Sequence, residues 1–279
     1  ERTSSFCCEK MKIALLATTP DKASMNIRKH ILSLVSWSDQ AEYLTTDHHG
    51  HTLHLYTFDQ QSIHMEHIDR EVEADMIVFL SKHASKSGKP SLSVHAIGNF
   101  ADAQYGGQDN TLCPCHAELM YHSFHALLKN NTLTHEVVYE ATHHGPVVQT
   151  PTMFIEIGSQ EQQWGNEQAG QIVATSLLEA IASLGSHVPP AVIGIGGLHT
   201  CHNFNKLVER KQAMLGHICP VYMLEHLNEE LVNQVVSQTH PSPQSIVLDW
   251  KGLKQQKQHV QQLMRDACLP VLKTKDFKS

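Results

Sequence analysis

The chain has 279 residues, with 21 lysines and arginines, 28 aspartates and glutamates, and a formal net charge of −7. This acidic balance argues against a general polyanion binder, although a local basic patch can still hold a nucleic acid. Hydrophobic residues make up 41% of the chain. No apolar run approaches the roughly 18 residues that span a bilayer, so we expect no membrane-spanning helix.

The amino terminus and the cysteines bear on where the protein works. The opening sequence, ERTSSFCCEK, lacks the apolar segment of a secretory signal and an initiator methionine, and the first strand-like run begins at Met11. We therefore expect residues 1–10 to be a disordered extension. The seven cysteines are irregularly spaced, which predicts reduced thiols. We accordingly expect a cytoplasmic protein, with the nucleus as an additional compartment.

Strand-like and helix-like patterns alternate along the chain. Continuous or alternating apolar runs predict strands, and apolar residues that repeat every three or four positions predict helices. The predicted strands cover residues 12–19, 53–58, 75–81, 91–98, 135–141, 152–158, 191–197, 218–224 and 245–250. The predicted helices cover residues 27–35, 113–129, 167–184, 228–238 and 254–267, and a further one ends near 207.

This alternation predicts the fold class. Strands separated by helices of this length are typical of a three-layer α/β fold with a mostly parallel or mixed sheet. The neighbouring strands at 135–141 and 152–158 are expected to form a local antiparallel pair. We place an N-terminal α/β subdomain at residues 11–82 and the core of the fold at residues 83–279.

In open α/β sheets, ligands gather beyond the carboxyl ends of strands, so we expect a functional site at the strand exits. The first exit, SKHASKSGKP, combines His83 with three lysines and several small residues. These lysines are Lys82, Lys86 and Lys89. Such a composition suits an anion-binding loop, and it suits a solvated turn equally well.

The second exit, VHAIGN, carries two polar candidates. His95 lies within the predicted strand, and Asn99 follows a glycine. An asparagine after glycine can orient a substrate carbonyl or a ribose. The same pair is common in ordinary turns, so both interpretations stay open.

The third exit, EATHHGP, places His143 and His144 before a Gly-Pro turn. Successive side chains of a strand point to opposite faces, so at most one of them shares a face with Glu140 or His135. Glu156 on the next strand can face one of the histidines. Such a His–carboxylate pair can activate water or hold a metal. Taken alone, the stretch fits a structural pair as well as a catalytic one.

The fourth exit, GIGGLHTCHNF, is rich in glycine. Gly196 and Gly197 at a strand-to-helix turn can leave backbone N–H groups free for a phosphate or a developing oxyanion. His199 is a candidate metal ligand. The spacing does not match a dinucleotide-binding fingerprint, because the last glycine of that motif would fall on His199.

Four segments together resemble one family. SKHASKSGKPSLSVHAIGN, EATHHGP, FIEIGSQEQQW and VIGIGGLH are similar in order and spacing to the archaeal and plant type of D-aminoacyl-tRNA deacylase. The resemblance extends from about residue 12 to residue 224 and includes LDWKGL at 248–253. It departs after GIGG, where the family pattern has a small residue or proline followed by His-Tyr-Ala. This chain has Leu198 before His199 and Thr200-Cys201 after it.

The resemblance implies a function, a cofactor and a fold. Such proteins hydrolyse the ester that links a D-amino acid to the 3′ end of tRNA, and plant members are linked to removal of aldehyde-modified aminoacyl groups. They are described as zinc-dependent. Their core resembles the phosphorylase/hydrolase or peptidyl-tRNA hydrolase type and carries an extra N-terminal α/β subdomain.

On this basis the four exits combine into one hypothetical site that binds aminoacyl-tRNA and Zn²⁺ in a monomer. The expected zinc ligands come from a set of four residues: His83, His143, Glu156 and His199. The candidates for a general base or an orienting group are His95 and His144. The candidates for the oxyanion are the N–H groups around Gly196 and Gly197. The candidates for contact with the tRNA are Lys82, Lys86, Lys89 and Asn99.

Two alternatives stay open from the sequence. One is another metallohydrolase or a nucleoside phosphorylase-like enzyme on the same fold, for which activity on free N-acyl peptides or nucleosides would speak. The other is a non-catalytic tRNA-binding protein, for which binding of charged tRNA without metal or turnover would speak.

Overall fold

The structure is a computed structural model and describes residues 10–277. Of the predicted extension, residues 1–9 lie outside the described residues. The strands are β1 (Lys12–Thr18), β2 (Ser38–Gln40), β3 (Tyr43–His48), β4 (His51–Phe58), β5 (Met76–Ala84), β6 (Ser91–His95), β7 (Gly98–Asn99), β8 (Thr111–Leu112), β9 (Cys115–His116), β10 (Glu136–Tyr139), β11 (Thr152–Ser159), β12 (Ala191–Ile195), β13 (Met214–Cys219), β14 (Thr239–His240), β15 (Ser245–Leu248) and β16 (Val271–Lys273). The helices are α1 (Lys22–Leu34), α2 (Ala117–Asn130), α3 (Glu161–Trp164), α4 (Glu167–Ala182), α5 (His202–Glu209), α6 (Glu229–Ser237) and α7 (Lys257–Leu263).

Local sequence explains where the main helices begin. Asp21 caps α1, because its side chain accepts a hydrogen bond from the Ser24 N–H. Asn166 caps α4 in the same way through the Ala169 N–H. A cap of this kind typically stabilises a helix by about 1 kcal/mol. The two caps fix the entry points of helices that pack against each other.

The larger sheet is mixed, as the sequence predicts. Its main order is β10-β6-β11-β5-β1-β4-β3-β2, with β9 beside β11 and β14 beside β9. The central pairs β4–β1, β1–β5 and β5–β11 are parallel, whereas β6 runs antiparallel to β11. The predicted antiparallel pair of 135–141 with 152–158 is wrong. The buried strand β6 lies between β10 and β11 and pairs with both of them.

The smaller sheet is entirely parallel and has the order β13-β12-β15-β16. Apolar residues of α6 and α7 pack on one of its faces, and those of α5 pack on the other. Helix α2 contacts both β6 and β13, so it lies between the two sheets. The α/β fold class is therefore confirmed, with its strands divided between two main sheets.

Helices cover both faces of the smaller sheet but only one face of the larger sheet. There, α1, α2 and α4 pack on one side. The other side is covered by loops and short 3₁₀ helices that contribute Met65, Ile68, Val72 and Val148. These segments leave room above the sheet where polar side chains can gather.

The predicted division after residue 82 does not coincide with a break in the fold. It falls inside β5, whose backbone pairs with β1 on one side and with β11 on the other. Strands from both predicted subdomains are thus hydrogen-bonded into one sheet. No helix within residues 10–277 has the length and apolar character needed to cross a membrane.

Candidate active site

A stretch without regular secondary structure, residues 140–145, joins the two sheets where the histidines gather. Towards the larger sheet, the Glu140 N–H donates to the Val94 carbonyl oxygen of β6 (3.1 Å). Towards the smaller sheet, the Ala141 N–H donates to the carbonyl oxygen of His199 (2.8 Å). The exits of the two sheets are therefore held against each other by backbone hydrogen bonds.

Three histidines converge on one carboxylate oxygen. Glu140 Oε2 lies 2.9 Å from His199 Nε2, 3.1 Å from His83 Nδ1 and 3.7 Å from His143 Nε2. Glu140 is buried, with 2% of its surface exposed. We call His83, Glu140 and His199 the carboxylate group. Their ligand atoms all lie within 4.8 Å of one another.

The carboxylate group, the cluster of His83, Glu140 and His199, contains charged side chains. Burial by itself would raise the pKa of Glu140, but hydrogen bonds with His199 and His83 outweigh it and hold that pKa well below its ordinary value. Burial likewise opposes protonation of His83, and the hydrogen bond with Glu140 reverses this and raises its pKa to about 9. In the protein alone, a carboxylate and an imidazolium therefore form a largely buried ion pair.

A second set of imidazoles lies next to the first. We call His95, His143 and His144 the histidine group; their ring centroids are 4.3 to 4.9 Å apart. Each Nδ1 hydrogen-bonds a backbone carbonyl oxygen: that of Ala96 for His95 (3.1 Å), Ala141 for His143 (2.8 Å) and Gly145 for His144 (2.6 Å). A carbonyl oxygen only accepts, so each Nδ1 carries the hydrogen and Nε2 is the variable atom.

The histidine group is less charged than the carboxylate group. Burial lowers the pKa of His144 to about 4. Burial also holds the pKa of His143 well below its ordinary value, and the neighbouring His95 adds to the effect. Two of the three rings are therefore neutral at neutral pH, with a lone pair on Nε2.

Both His143 and His144 belong to this group because the backbone leaves the strand direction between them. A regular strand would send the two side chains to opposite faces. His144 has a φ of 46°, in the left-handed region, so that alternation does not hold here. The two adjacent histidines therefore reach the same cluster, with ring centroids 4.4 Å apart.

Glu156 connects the two groups. Its Oε2 lies 3.5 Å from His95 Nε2 and 3.8 Å from His83 Nδ1. Burial would raise the pKa of Glu156, but the interaction with His95 lowers this pKa by more than burial raises it. The side chain therefore stays ionised. The pKa of His95 is raised in return, although burial alone would lower it. His95 and Glu156 thus form a buried ion pair between the neutral rings and the carboxylate group.

The cluster has the donor set of a metal site. Imidazole nitrogen and carboxylate oxygen are ordinary zinc ligands, and catalytic zinc sites use three protein ligands with one position open. The other oxygen of Glu140, Oε1, is buried and has no hydrogen-bond partner among residues 10–277. Such an atom is costly to bury alone. A cation beside the Glu140 carboxylate would offset that cost.

The four predicted zinc ligands do not form one set. His83 and His199 belong to the carboxylate group, His143 belongs to the histidine group, and Glu156 lies between them. The structure adds Glu140, which we did not place among the ligands. In the sequence, Glu140 is marked only by its position three residues before His143. On a regular strand, side chains at that spacing point to opposite faces, so the spacing alone did not indicate contact.

A cavity of about 480 Å³ opens over both groups. Four of the clustered histidines reach its wall together with Glu156. The lining residues are Asp21, Gln61, Ser62, Ile63, Ser81, Lys82, His83, Ala84, Tyr105, His143, His144, Glu156 and His199. The site therefore has room for a small substrate group beside ionised and neutral side chains.

The three predicted lysines are placed differently. Lys82 lines the cavity, and its Nζ lies 5.3 Å from the ring centroid of Trp164. Lys86 and Lys89 are exposed on the connection between β5 and β6, outside the cavity wall. Only Lys82 can therefore reach a group bound inside the cavity.

Asn99 and the two predicted glycines have local structural roles. The Asn99 Nδ2 donates to the carbonyl oxygens of Gly106 (3.0 Å) and Gln108 (3.4 Å) and so holds its own loop. The Gly196 N–H donates to the Cys219 carbonyl oxygen (2.8 Å), so it is not free to receive an oxyanion. Neither Gly196 nor Gly197 lines the cavity.

Tyr222 is a further residue of the site that the sequence did not indicate. Its hydroxyl lies 3.2 Å from His199 Nδ1, on the opposite side of the ring from Glu140. Tyr222 follows β13 and is 46% exposed. Its distance of 23 residues from His199 along the chain left no pattern by which to connect them.

The chain is similar to known proteins over the range that contains both groups. The family model of D-aminoacyl-tRNA deacylase matches residues 70–272, a range that contains both groups. The chain is 30% identical to the D-aminoacyl-tRNA deacylase of Pyrococcus abyssi over 253 residues, which cover 88% of this chain and 92% of that protein. It is 33% identical to the D-aminoacyl-tRNA deacylase of Methanocaldococcus jannaschii over 257 residues, with the same coverage. The crystal structure of AF0625, a conserved protein of unknown function, aligns with a TM-score of 0.85 and 26% identity over 97% of each chain.

Proposed function

This chain belongs to the D-aminoacyl-tRNA deacylase family, and we propose on that basis that it hydrolyses the ester between a D-amino acid and the 3′-terminal ribose of tRNA. The observation that carries the proposal is the meeting of the carboxylate group and the histidine group under one cavity. Ester hydrolysis needs a positioned water, a stabilised carbonyl oxygen and a route for one proton. The two groups offer side chains that can hold a metal and side chains that can accept a proton.

We propose that zinc is held by the carboxylate group, with His143 beside it. The support is the convergence of three histidine nitrogens on Glu140 Oε2 and the unpartnered Oε1 of the same carboxylate. When bound, zinc supplies a Lewis acid that draws charge from the ester carbonyl oxygen. This role replaces the one that we expected for the N–H groups around Gly196 and Gly197.

The remaining tasks fall to the chain's own side chains. Before zinc binds, ionised Glu140 orients His83 and His199, and the Tyr222 hydroxyl holds the second nitrogen of the His199 ring. The Nε2 of His144 is the proton acceptor at the cavity wall. The His95–Glu156 ion pair fixes the position of that wall.

The proposed step conserves all atoms. The oxygen of water bonds to the ester carbonyl carbon, and the bond from that carbon to the ribose oxygen breaks. His144 Nε2 takes one proton from the water and returns it to the departing ribose oxygen. The products are the free D-amino acid and tRNA.

We further propose that the active unit is a monomer working in the cytoplasm. The proposal is supported by the fact that one chain supplies every side chain of both groups. Lys86 and Lys89 are proposed to contact tRNA phosphates beside the cavity, since they are exposed and close in sequence to His83.

The test is deacylation of matched D-Tyr-tRNA and L-Tyr-tRNA, with zinc measured on the same sample before and after chelation. We expect rapid release of D-tyrosine only, loss of that activity with the metal, and recovery on adding zinc. Activity on nucleosides or N-acyl peptides without turnover of D-Tyr-tRNA would overturn the proposal. Full activity in the metal-free protein would overturn the proposed role of zinc and leave the proposed reaction standing.

A further inference from the structure

The carboxyl edge of the smaller sheet continues from the active site into a basic surface. In adjacent parallel strands, Ile195 pairs with Leu248, and Leu248 pairs with Lys273. The exits of β12, β15 and β16 therefore stand side by side at one edge. The first exit leads to His199, and the other two lead into lysine-rich segments.

These segments are unusually basic for this chain. Residues 251–275 contain six lysines and arginines and one acidic residue, within a chain whose formal net charge is −7. Five lysines lie after β15 or at the end of β16 and just after it. They are Lys251, Lys254, Lys257, Lys273 and Lys275, which we call the basic edge.

An aromatic ring gathers part of the basic edge. Trp250, which follows β15, has Lys273 Nζ at 4.4 Å and Lys257 Nζ at 5.6 Å from its ring centroid. Cation–π contact at such distances holds an ammonium group over a ring without neutralising it. Two lysines from different elements are thus kept close together and still charged.

Among the side chains that the structure describes, a set that leaves out Asp266, no carboxylate forms a salt bridge with any of the five lysines of the basic edge. Several lysines elsewhere are paired, for example Lys29 with Glu167 and Lys129 with Glu179. Two acidic residues adjoin these segments along the chain, and both accept other hydrogen bonds. Asp249 accepts from Asn203 and from the Gly252 N–H, and Asp276 accepts from a backbone N–H.

We infer that the basic edge binds the backbone phosphates of the acceptor arm of a charged tRNA whose 3′ end lies in the cavity. This inference rests on the proposed function and adds the direction in which the tRNA leaves the site. β12 and β16 are two strands apart, about 10 Å at the usual spacing of strands. That distance is about three steps of roughly 3.4 Å along a nucleic-acid strand, so one tRNA can reach both places.

The test replaces the charge at three positions, Lys251→Gln, Lys257→Gln and Lys273→Gln, in one triple variant. Glutamine keeps much of the aliphatic stem and removes the ammonium group. We expect the KM for D-Tyr-tRNA to rise about tenfold at low salt, with kcat retained. The slope of log KM against log salt concentration should decrease by about 2. Hydrolysis of 3′-O-D-tyrosyl-adenosine, an ester without phosphates, should not change.

Two matched variants serve as controls. The first control is a triple variant that removes the same charge from lysines paired with carboxylates: Lys10→Gln, Lys29→Gln and Lys129→Gln. It should leave KM nearly unchanged. Arginine at the three tested positions should restore the wild-type KM, because the phosphate contact needs the charge.

Each other outcome has a definite meaning. An increase in KM no larger than that of the control variant would overturn the inference. So would an equal loss on D-Tyr-tRNA and on the adenosine ester, because the effect would then come from the site itself. A wild-type protein that hydrolyses neither substrate would instead overturn the proposed function.

Discussion

The carboxylate group and the histidine group share one wall of the cavity, yet they differ in charge and in what holds them. His83 and His199 are oriented by an ionised side chain, Glu140, to which both rings hydrogen-bond. The rings of the histidine group are oriented by backbone carbonyl oxygens, and two of them are neutral. The first arrangement favours a bound cation, and the second favours an atom that accepts a proton.

This difference explains how two clusters of histidine can do different work a few ångströms apart. A buried carboxylate attracts positive charge and raises the pKa of the ring beside it. Backbone carbonyl groups carry no net charge and do not offset the effect of burial. The imidazole rings of His143 and His144, which hydrogen-bond to them, therefore stay neutral. The boundary between the two groups lies at His143, whose Nδ1 bonds a carbonyl oxygen and whose Nε2 lies 3.7 Å from Glu140.

The largest effects are expected from Glu140→Gln and from His143→Ala. Removing the charge takes away the atom on which three histidine nitrogens converge. We expect kcat/KM for D-Tyr-tRNA to fall by more than about 100-fold, beyond what residues that only support a ligand usually contribute. Zinc bound per chain, measured by elemental analysis, should fall with it.

Glu136→Gln is the matched control, because Glu136 begins the strand that Glu140 follows but is exposed and paired with His202. It should retain activity and zinc. A Glu140→Gln variant that keeps its full zinc content would remove the carboxylate group as the metal site.

His143→Ala locates the boundary between the groups. We expect deacylation to be abolished while the fold persists, because the ring lies between Glu140 and the other histidines. We also expect zinc to be lost, since Nε2 faces the Glu140 carboxylate. Loss of activity with zinc retained would assign His143 to the histidine group alone, and near-normal turnover would remove it from the mechanism.

His144→Gln tests the histidine group by itself. Glutamine preserves a polar side chain but cannot accept and return a proton, so we expect kcat to fall by about 100-fold. Zinc content should match that of the wild type. If zinc is lost here to the same degree as in Glu140→Gln, the histidine group also holds metal and the distinction between the two groups fails.

Much of this arrangement could be predicted from strand exits. In an α/β fold the carboxyl ends of strands meet, which is why His83, His143 and His199 were expected together. Glu140 was not expected, because regular strand alternation separates neighbouring side chains. The left-handed φ of His144 breaks that alternation, and a histidine has no sequence signal for such a φ.

Other parts of the prediction failed for physical reasons that only the packed structure reveals. Asn99 and Gly196 have the chemistry of ligand-binding turns, but their N–H groups are used by nearby carbonyl oxygens. The position of β6 between β10 and β11 depends on which buried strands pair, and hydrophobic pattern alone does not determine that. Tyr222 reaches His199 only because β12 and β13 are neighbours in the smaller sheet.

Tyr222→Phe tests how His199 is held on the side of its ring opposite Glu140. The variant loses one hydrogen bond to His199 Nδ1 and keeps the ring. A hydrogen bond of this kind contributes about 1 kcal/mol, so we expect kcat/KM to fall about fivefold. Zinc content should be unchanged. An unaltered kcat/KM would show that Glu140 alone orients His199, and Tyr105→Phe is a control at the cavity wall without such a bond to His199.

The smallest effect on catalysis is expected at His217, which supports the stretch common to both groups. His217 is fully buried, with Nδ1 3.0 Å from Thr142 Oγ1 and Nε2 2.9 Å from the Cys113 carbonyl oxygen. Burial lowers its pKa to about 4, against about 6.5 in an unfolded chain. Because the unfolded chain then binds the extra proton, His217 contributes stability that is complete above pH 6.5 and is lost as the pH falls towards 4. The full loss is about 3 kcal/mol in the free energy of unfolding.

His217→Gln should therefore flatten the decrease in unfolding free energy between pH 7 and pH 5, as measured by urea titration. It should keep most of its activity at pH 7.5, because glutamine can still bond Thr142 and both groups remain in place. A decrease with pH as steep as that of the wild type would assign the acid sensitivity to other buried histidines. A large loss of activity at pH 7.5 would show that the position of Thr142, and with it the spacing of the two groups, depends on the imidazole ring itself.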